Sequence, residues 1–119
     1  MSRLTLVLGA STTAWRYSYL AANRLLDANE GIYLLGKTQG SVRGNEIHKA
    51  WPDQKIHTVT LYLNPTHQKP YYDLIVGSKP KRVIFNPGTE NPELQEKLTA
   101  AAIPYESACT LVMLAINQY

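Results

Sequence analysis

Phosphate recognition needs backbone N–H groups that a ligand can approach closely, and Gly9-Ala10-Ser11-Thr12-Thr13 offers a small, hydroxylated stretch directly after an apolar run. A dinucleotide fingerprint would carry three glycines where this chain has Gly9, Ser11 and Ala14. One glycine of three is present, and a plain strand-to-helix turn is the competing reading. Arg16, at the start of the next helical pattern, has the charge to meet a pyrophosphate, and Arg43 is a weaker second cation. At the end of a second apolar run stand Gly36 and Lys37, where a NAD site would hold Asp or Glu for the ribose hydroxyl. A lysine there suits a phosphorylated ribose, either NADP's 2′-phosphate or coenzyme A's 3′-phosphate, while a solvated surface lysine explains it as well.

The remaining reactive residue types suggest less. Cys109 lies in an apolar helix pattern with no histidine nearby in sequence; thiol exchange with coenzyme A is one reading, and a buried inert thiol is the preferred one. His48, His57 and His67 are spaced nine and ten apart and fit no metal-ligand pattern. Glu90 and Glu93 resemble an acid/base pair, yet their interaction with a helix dipole accounts for both. Trp15, Tyr17 and Tyr19 could stack on an adenine, line a pantetheine groove, or serve as ordinary core. No set of residues makes the chain an enzyme by itself.

These residues must be held by short strands alternating with helices. Residues 4–8 read as a first, central strand, 17–29 as a helix stopped at Gly31, and 32–35 as a parallel second strand. Residues 37–54 look irregular because Gly40, Gly44 and Pro52 break any period. Residues 58–63 form a third strand closed by Asn64-Pro65, and 71–76 a helix led by Pro70. Residues 82–85 form a fourth strand, turned out by Asn86-Pro87-Gly88. Asn91-Pro92-Glu93 starts a helix running to about residue 101. A short fifth strand at 104–106 and a final helix through Leu111–Ala115 follow. The expected fold is α/β, a doubly wound, mostly parallel five-stranded Rossmann-like sheet with helices on both faces. In such sheets ligands bind beyond the carboxyl ends of the strands.

With 119 residues, 45% apolar and without a low-complexity tract, the chain fits one domain spanning 1–119. Twelve Lys and Arg against nine Asp and Glu give +3, which suits an anionic small-molecule nucleotide ligand. The cations are scattered without an aromatic-basic platform, so nucleic acid is not the expected partner. The single cysteine excludes an internal disulfide and fits a reducing compartment. The first apolar run is too short for a signal peptide, and no segment reaches the roughly 18 apolar residues of a membrane span. A cytoplasmic protein is expected.

The stretch Arg82-Val-Ile-Phe-Asn-Pro-Gly-Thr-Glu-Asn-Pro-Glu-Leu94 and the later Ala108-Cys-Thr-Leu-Val-Met-Leu114 closely resemble the small stand-alone CoA-binding domain proteins of bacteria. Those proteins are Rossmann-like and related to the nucleotide-binding domain of the succinyl-CoA synthetase alpha subunit. Val7-Leu-Gly-Ala-Ser11 and Arg16-Tyr-Ser-Tyr19 fit the same family. The resemblance implies coenzyme A or an acyl-CoA as ligand, with a phosphate loop at Gly9, Ala10, Ser11, Thr12 and Thr13 assisted by Arg16 and flanked by Tyr17. It also implies a 3′-phosphate region at Gly36 and Lys37. Ligand-facing loops would be Asn64-Pro65 and Asn86-Pro87-Gly88. Many members end strand two with a Val-Asn-Pro-like sequence, where this chain has Leu35-Gly36-Lys37. The expected function is carriage, sensing or regulation. The rival readings are a small NADP-binding oxidoreductase, and an interaction subunit that keeps a vestigial nucleotide site and serves a protein partner.

Overall fold

A strand covered on both faces must be apolar or hydroxylated throughout, and Leu4-Thr5-Leu6-Val7-Leu8 meets that requirement. In the computed structural model, which describes residues 3–119, this run is the central strand β1 (Leu4–Leu8). The other strands are β2 (Gly31–Leu35), β3 (Ser41–Val42), β4 (Asn45–His48), β5 (Thr58–Leu61), β6 (Arg82–Phe85) and β7 (Tyr105–Ser107). They form one sheet in the order β3-β4-β2-β1-β5-β6-β7. Only β3 runs antiparallel, against β4. Counting the parallel strands in chain order gives 3-2-1-4-5-6, the arrangement of dinucleotide-binding sheets, with its reversal between β1 and β5.

The α/β class and parallel sheet agree with the sequence, but the strand number is seven rather than five. The two additional strands come from residues 41–48, in the segment expected to be irregular. A two-residue hairpin turn joins them. Arg43 and Gly44 both have positive φ, 50° and 85°, which gives the turn the twist that suits flanking strands. Because β4 then pairs in parallel with β2, this hairpin supplies the third position of the dinucleotide order.

Helices cover both faces. Leu6, Leu8, Val59, Leu61, Val83 and Phe85 face α3 (Tyr72–Ser78) and α4 (Pro92–Ala100), which bury Tyr72, Ile75, Leu94 and Leu98. On the opposite face Val7 and Leu34 meet α1 (Tyr17–Asp27) and α5 (Thr110–Ala115). Helix α1 buries Ser18, Ala21, Ala22 and Leu25, a stripe of mostly small residues that seats the helix close to the sheet. The chain turns out of it not at Gly31, which begins β2, but at Asn29, two residues past its last turn, whose φ of 60° is left-handed. A short helix α2 (Pro65–Gln68) and a 3-10 turn at Lys69–Tyr71 lead into α3. No helix among the described residues is long and apolar enough to cross a membrane.

Candidate functional site

The strand reversal opens a cleft of about 560 Å3 at the carboxyl ends of the strands, within the range of roughly 300–1,000 Å3 usual for small-molecule sites. Its floor is Gly9 and Ala10, whose N–H groups donate to the Leu35 carbonyl at 2.9 and 3.0 Å. Gly9 has φ of 101°, and a Cβ there would lie 3.0–3.1 Å from Leu63 and from the Tyr62 backbone. Any side chain at this point would also fill the crevice. Gly36 serves differently: its own Cβ would meet the Ala10 carbonyl oxygen at 2.5 Å, so glycine lets the β1 and β2 loops close together.

Ser11 and Thr13 form one wall, with the Thr13 N–H donating to Ser11 Oγ at 3.0 Å. Beyond them α1 begins without a side-chain cap. Its N-cap is Arg16, its first turn holds no acid, and the N–H groups of Tyr17 and Ser18 have no partner among the described residues. Free N–H donors and the positive end of the helix dipole therefore border the cleft, beside the exposed Arg16 side chain. Lys37 and Thr38 line the β2 side. Lys49 reaches the same corner from the end of β4, its Nζ donating to the Lys37 carbonyl at 2.7 Å.

The far wall consists of Asn64 and His67 together with Pro87, Gly88 and Thr89. Asn64 caps α2 by accepting from the His67 N–H at 3.0 Å. A buried polar network fixes both loops. Asn86 donates from Nδ2 to Thr60 Oγ1 (2.7 Å) and the Leu61 carbonyl (2.8 Å), and its Oδ1 accepts from the Thr110 N–H (2.9 Å). Gln68 donates to the carbonyls of Leu63 and Thr89, both at 2.8 Å, and accepts from Asn91 Nδ2 at 2.9 Å. Each of these buried amides is paired on both its oxygen and its nitrogen, which fixes the wall. Tyr62 contributes to the lining, and its buried hydroxyl finds no partner. Burial pushes this phenol up to about 12, which keeps it protonated at neutral pH.

The cleft thus brings together Gly9, Ala10, Ser11, Thr13, Arg16, Tyr17, Lys37, Asn64, Pro87 and Gly88 from the sequence-derived set. Four others stand behind it. Thr12 packs beside Gly40, Gly36 lies under Ala10, Pro65 is the first residue of α2, and the Asn86 side chain turns inward to the network. Sequence reasoning missed Ser18, Thr38, Tyr62, Leu63, His67 and Thr89, each within three residues of a named position. Lys49 was concealed because β4, which it directly follows, was not expected.

Other candidates lie elsewhere. Arg43 pairs with Asp27 at 2.7 Å across the hairpin and α1. Glu90 accepts from the Gly88 N–H and Glu93 from the Tyr72 hydroxyl, both at 2.9 Å, so both carboxylates brace the wall. Cys109 is half-buried at the N-cap of α5. His48 stacks on Tyr33 with ring centroids 4.4 Å apart. No group of three or more potential metal-ligating side chains occurs among the described residues. Trp15 is 82% exposed, whereas Tyr19 packs against the α1 core.

A family model described as a CoA binding domain matches residues 3–115. Among solved structures, an uncharacterised protein is 44% identical over 100% of this chain and 99% of its own, with a TM-score of 0.95. A Thermus thermophilus protein (17% identity, 99% and 91% covered, TM-score 0.85) shares the fold. So does a hypothetical protein from Pyrococcus horikoshii OT3 (21%, 98% and 83%, TM-score 0.85). No curated protein matches.

Proposed function

We propose that this chain, which belongs to the CoA-binding domain family, holds coenzyme A or an acyl-CoA across the carboxyl ends of its strands and acts as a carrier, sensor or regulatory module. The observation that carries the reading is the uncapped start of α1 directly behind the Gly9 loop, at the point where strand order reverses. A pyrophosphate would satisfy the N–H groups of Tyr17 and Ser18 and pair with Arg16. The fit is chemical as well as spatial: donors without partners face the cleft, and no acidic side chain lines it.

The ligand's other parts follow from that anchor. A 3′-phosphate would meet Lys37, with Lys49 beside it. Pantetheine would then run over Gly9 toward Asn64, Pro87 and Gly88, along a wall already fixed by Asn86 and Gln68. That wall needs no reorganisation on binding, which lowers the ordering cost of association. NADP remains the rival ligand because the strand order and Lys37 suit it too.

Native mass spectrometry of the freshly purified protein, then calorimetric titration with coenzyme A, dephospho-coenzyme A, NAD and NADP, tests the reading. Coenzyme A binding more tightly than the other three supports it. Tighter binding of NADP transfers the site to the oxidoreductase reading, and no binding at all favours the interaction subunit.

A further inference from the structure

At the opposite end of the sheet lies a depression of about 480 Å3, lined by Arg3, Lys55, His57 and Lys81 together with apolar and amide side chains. Its residues come from the starts of β1, β5 and β6 and from the segment before β5. Among the described residues, Glu30 is the one carboxylate ion-paired in this neighbourhood. It is engaged by Arg3 through two bonds, 3.0 and 3.2 Å, and Arg3 also donates to the Tyr119 carbonyl at 3.1 Å. Lys55, Lys81 and Arg82 have no ion-pair partner among the described residues.

Arg82 stands behind the depression, outside its lining. Its Nε donates to Thr58 Oγ1 at 2.9 Å and its guanidinium lies 4.4 Å from the Tyr119 ring centroid, yet Nη2 is buried with no partner. A half-buried guanidinium without a counter-charge is costly unless an anion offsets it. His57 shares Thr58 Oγ1 through Nδ1 at 2.8 Å, and its Nε2 has no partner among the described residues. Burial lowers its pKa first, and Arg3, Arg82 and Lys81 lower it further against the opposing pull of Glu30. Three cations, Arg3, Arg82 and Lys81, thus stand around the imidazole against one carboxylate, Glu30, which Arg3 already engages.

We propose that this depression is a second binding site, for a phosphate dianion, free or as the terminal group of a small phosphomonoester. Lys81 and Lys55 bind it at the rim, while His57 and Arg82 stand behind. A compact dianion suits the site because it neutralises more than one cation at once and accepts several N–H bonds. The proposal is independent of what occupies the cleft at the carboxyl end.

Binding is coupled to His57. With the anion in place the imidazolium is favoured, so the His57 pKa, low in the free protein, rises on binding. The charged groups around His57 are Arg3 just before β1, Glu30 before β2, Lys55 before β5, Lys81 before β6 and Arg82 at its start. Of these, none other than His57 changes charge in the histidine range, whereas the phosphate takes up its second proton there, so the readout is the His57 pKa with and without ligand and not the pH dependence of affinity.

The test is amide and imidazole NMR of the full chain, titrated at fixed ionic strength with inorganic phosphate, a sugar phosphate or chloride. Saturable shifts at His57, Lys81 and Arg82 with either phosphate, together with a raised His57 pKa, support the site. A preference for the sugar phosphate identifies an esterified ligand, and equal affinity identifies free phosphate. Lys81→Ala, an exposed position that leaves the Arg82 packing intact, is expected to weaken binding about fivefold, as loss of one charge-assisted contact does. Lys37→Ala, at the other end, should leave it unchanged. The proposal is overturned by chloride producing the same shifts, by an unmoved His57 pKa, or by Lys81→Ala binding phosphate as the unmodified chain does.

Discussion

The two ends of this sheet meet charge in opposite ways. At the carboxyl end, glycine, hydroxyl and amide groups create a cleft in which backbone N–H groups and a helix start add to the attraction of Arg16 and Lys37 for an anion. At the amino end, side-chain cations gather around a histidine with a single acid among them engaged. The difference follows from strand polarity: helices that follow a parallel strand begin at its carboxyl end, so the dipoles there already supply positive potential. The amino ends receive helix C-termini, and positive potential there must come from Lys, Arg and His. A wall of paired buried amides is preorganised, whereas a cluster of like charges repels itself until a counter-charge is present.

Removing the neutral scaffold should have the largest effect. Asn86→Ala deletes three bonds in a buried site and leaves the Leu61 carbonyl and the Thr110 N–H without these partners. We expect a loss of about 2–4 kcal/mol in urea-induced unfolding, together with weakened coenzyme A binding. Gly9→Ala should follow at about 2 kcal/mol, because alanine must adopt a positive φ while crowding Leu63 and Tyr62. Thermal or urea unfolding measures this directly.

Smaller changes sharpen the contrast. Lys37→Ala should weaken coenzyme A about fivefold by calorimetry and dephospho-coenzyme A much less, because only the former carries the 3′-phosphate. Equal losses for both ligands would remove Lys37 from that role. Near the amino end, Ala102 holds a φ of 59° just before β7, closing α4 with the Ile103 N–H bonded to the Leu98 carbonyl. Ala102→Gly should therefore stabilise the fold by about 0.5–1 kcal/mol in urea unfolding without changing ligand affinity.

Elements that carry their own local signal were legible in the sequence. Strand β1 was plain from its apolar run, and α4 from Asn91, whose Oδ1 accepts from the Leu94 N–H at 3.3 Å as an N-cap should. The β3–β4 hairpin was not legible, since its strands are two and four residues long and Arg43-Gly44 is a weak turn signal. With it went Lys49. Gly9 was identifiable as a phosphate-loop glycine, but Asn86 was placed among ligand-facing residues because Asn-Pro-Gly marks a turn whichever way the asparagine points. The amino-end cluster assembles from residues 3, 55, 57, 81 and 82, and only the sheet register brings these together.

Mapping amide NMR shifts during a coenzyme A titration decides whether coenzyme A occupies the carboxyl end of the sheet. Shifts are expected to concentrate at Gly9 to Thr13, Tyr17, Ser18 and Lys37, leaving His57, Lys81 and Arg82 unmoved. Shifts centred on those three amino-end residues, or none at saturating ligand, would contradict that placement.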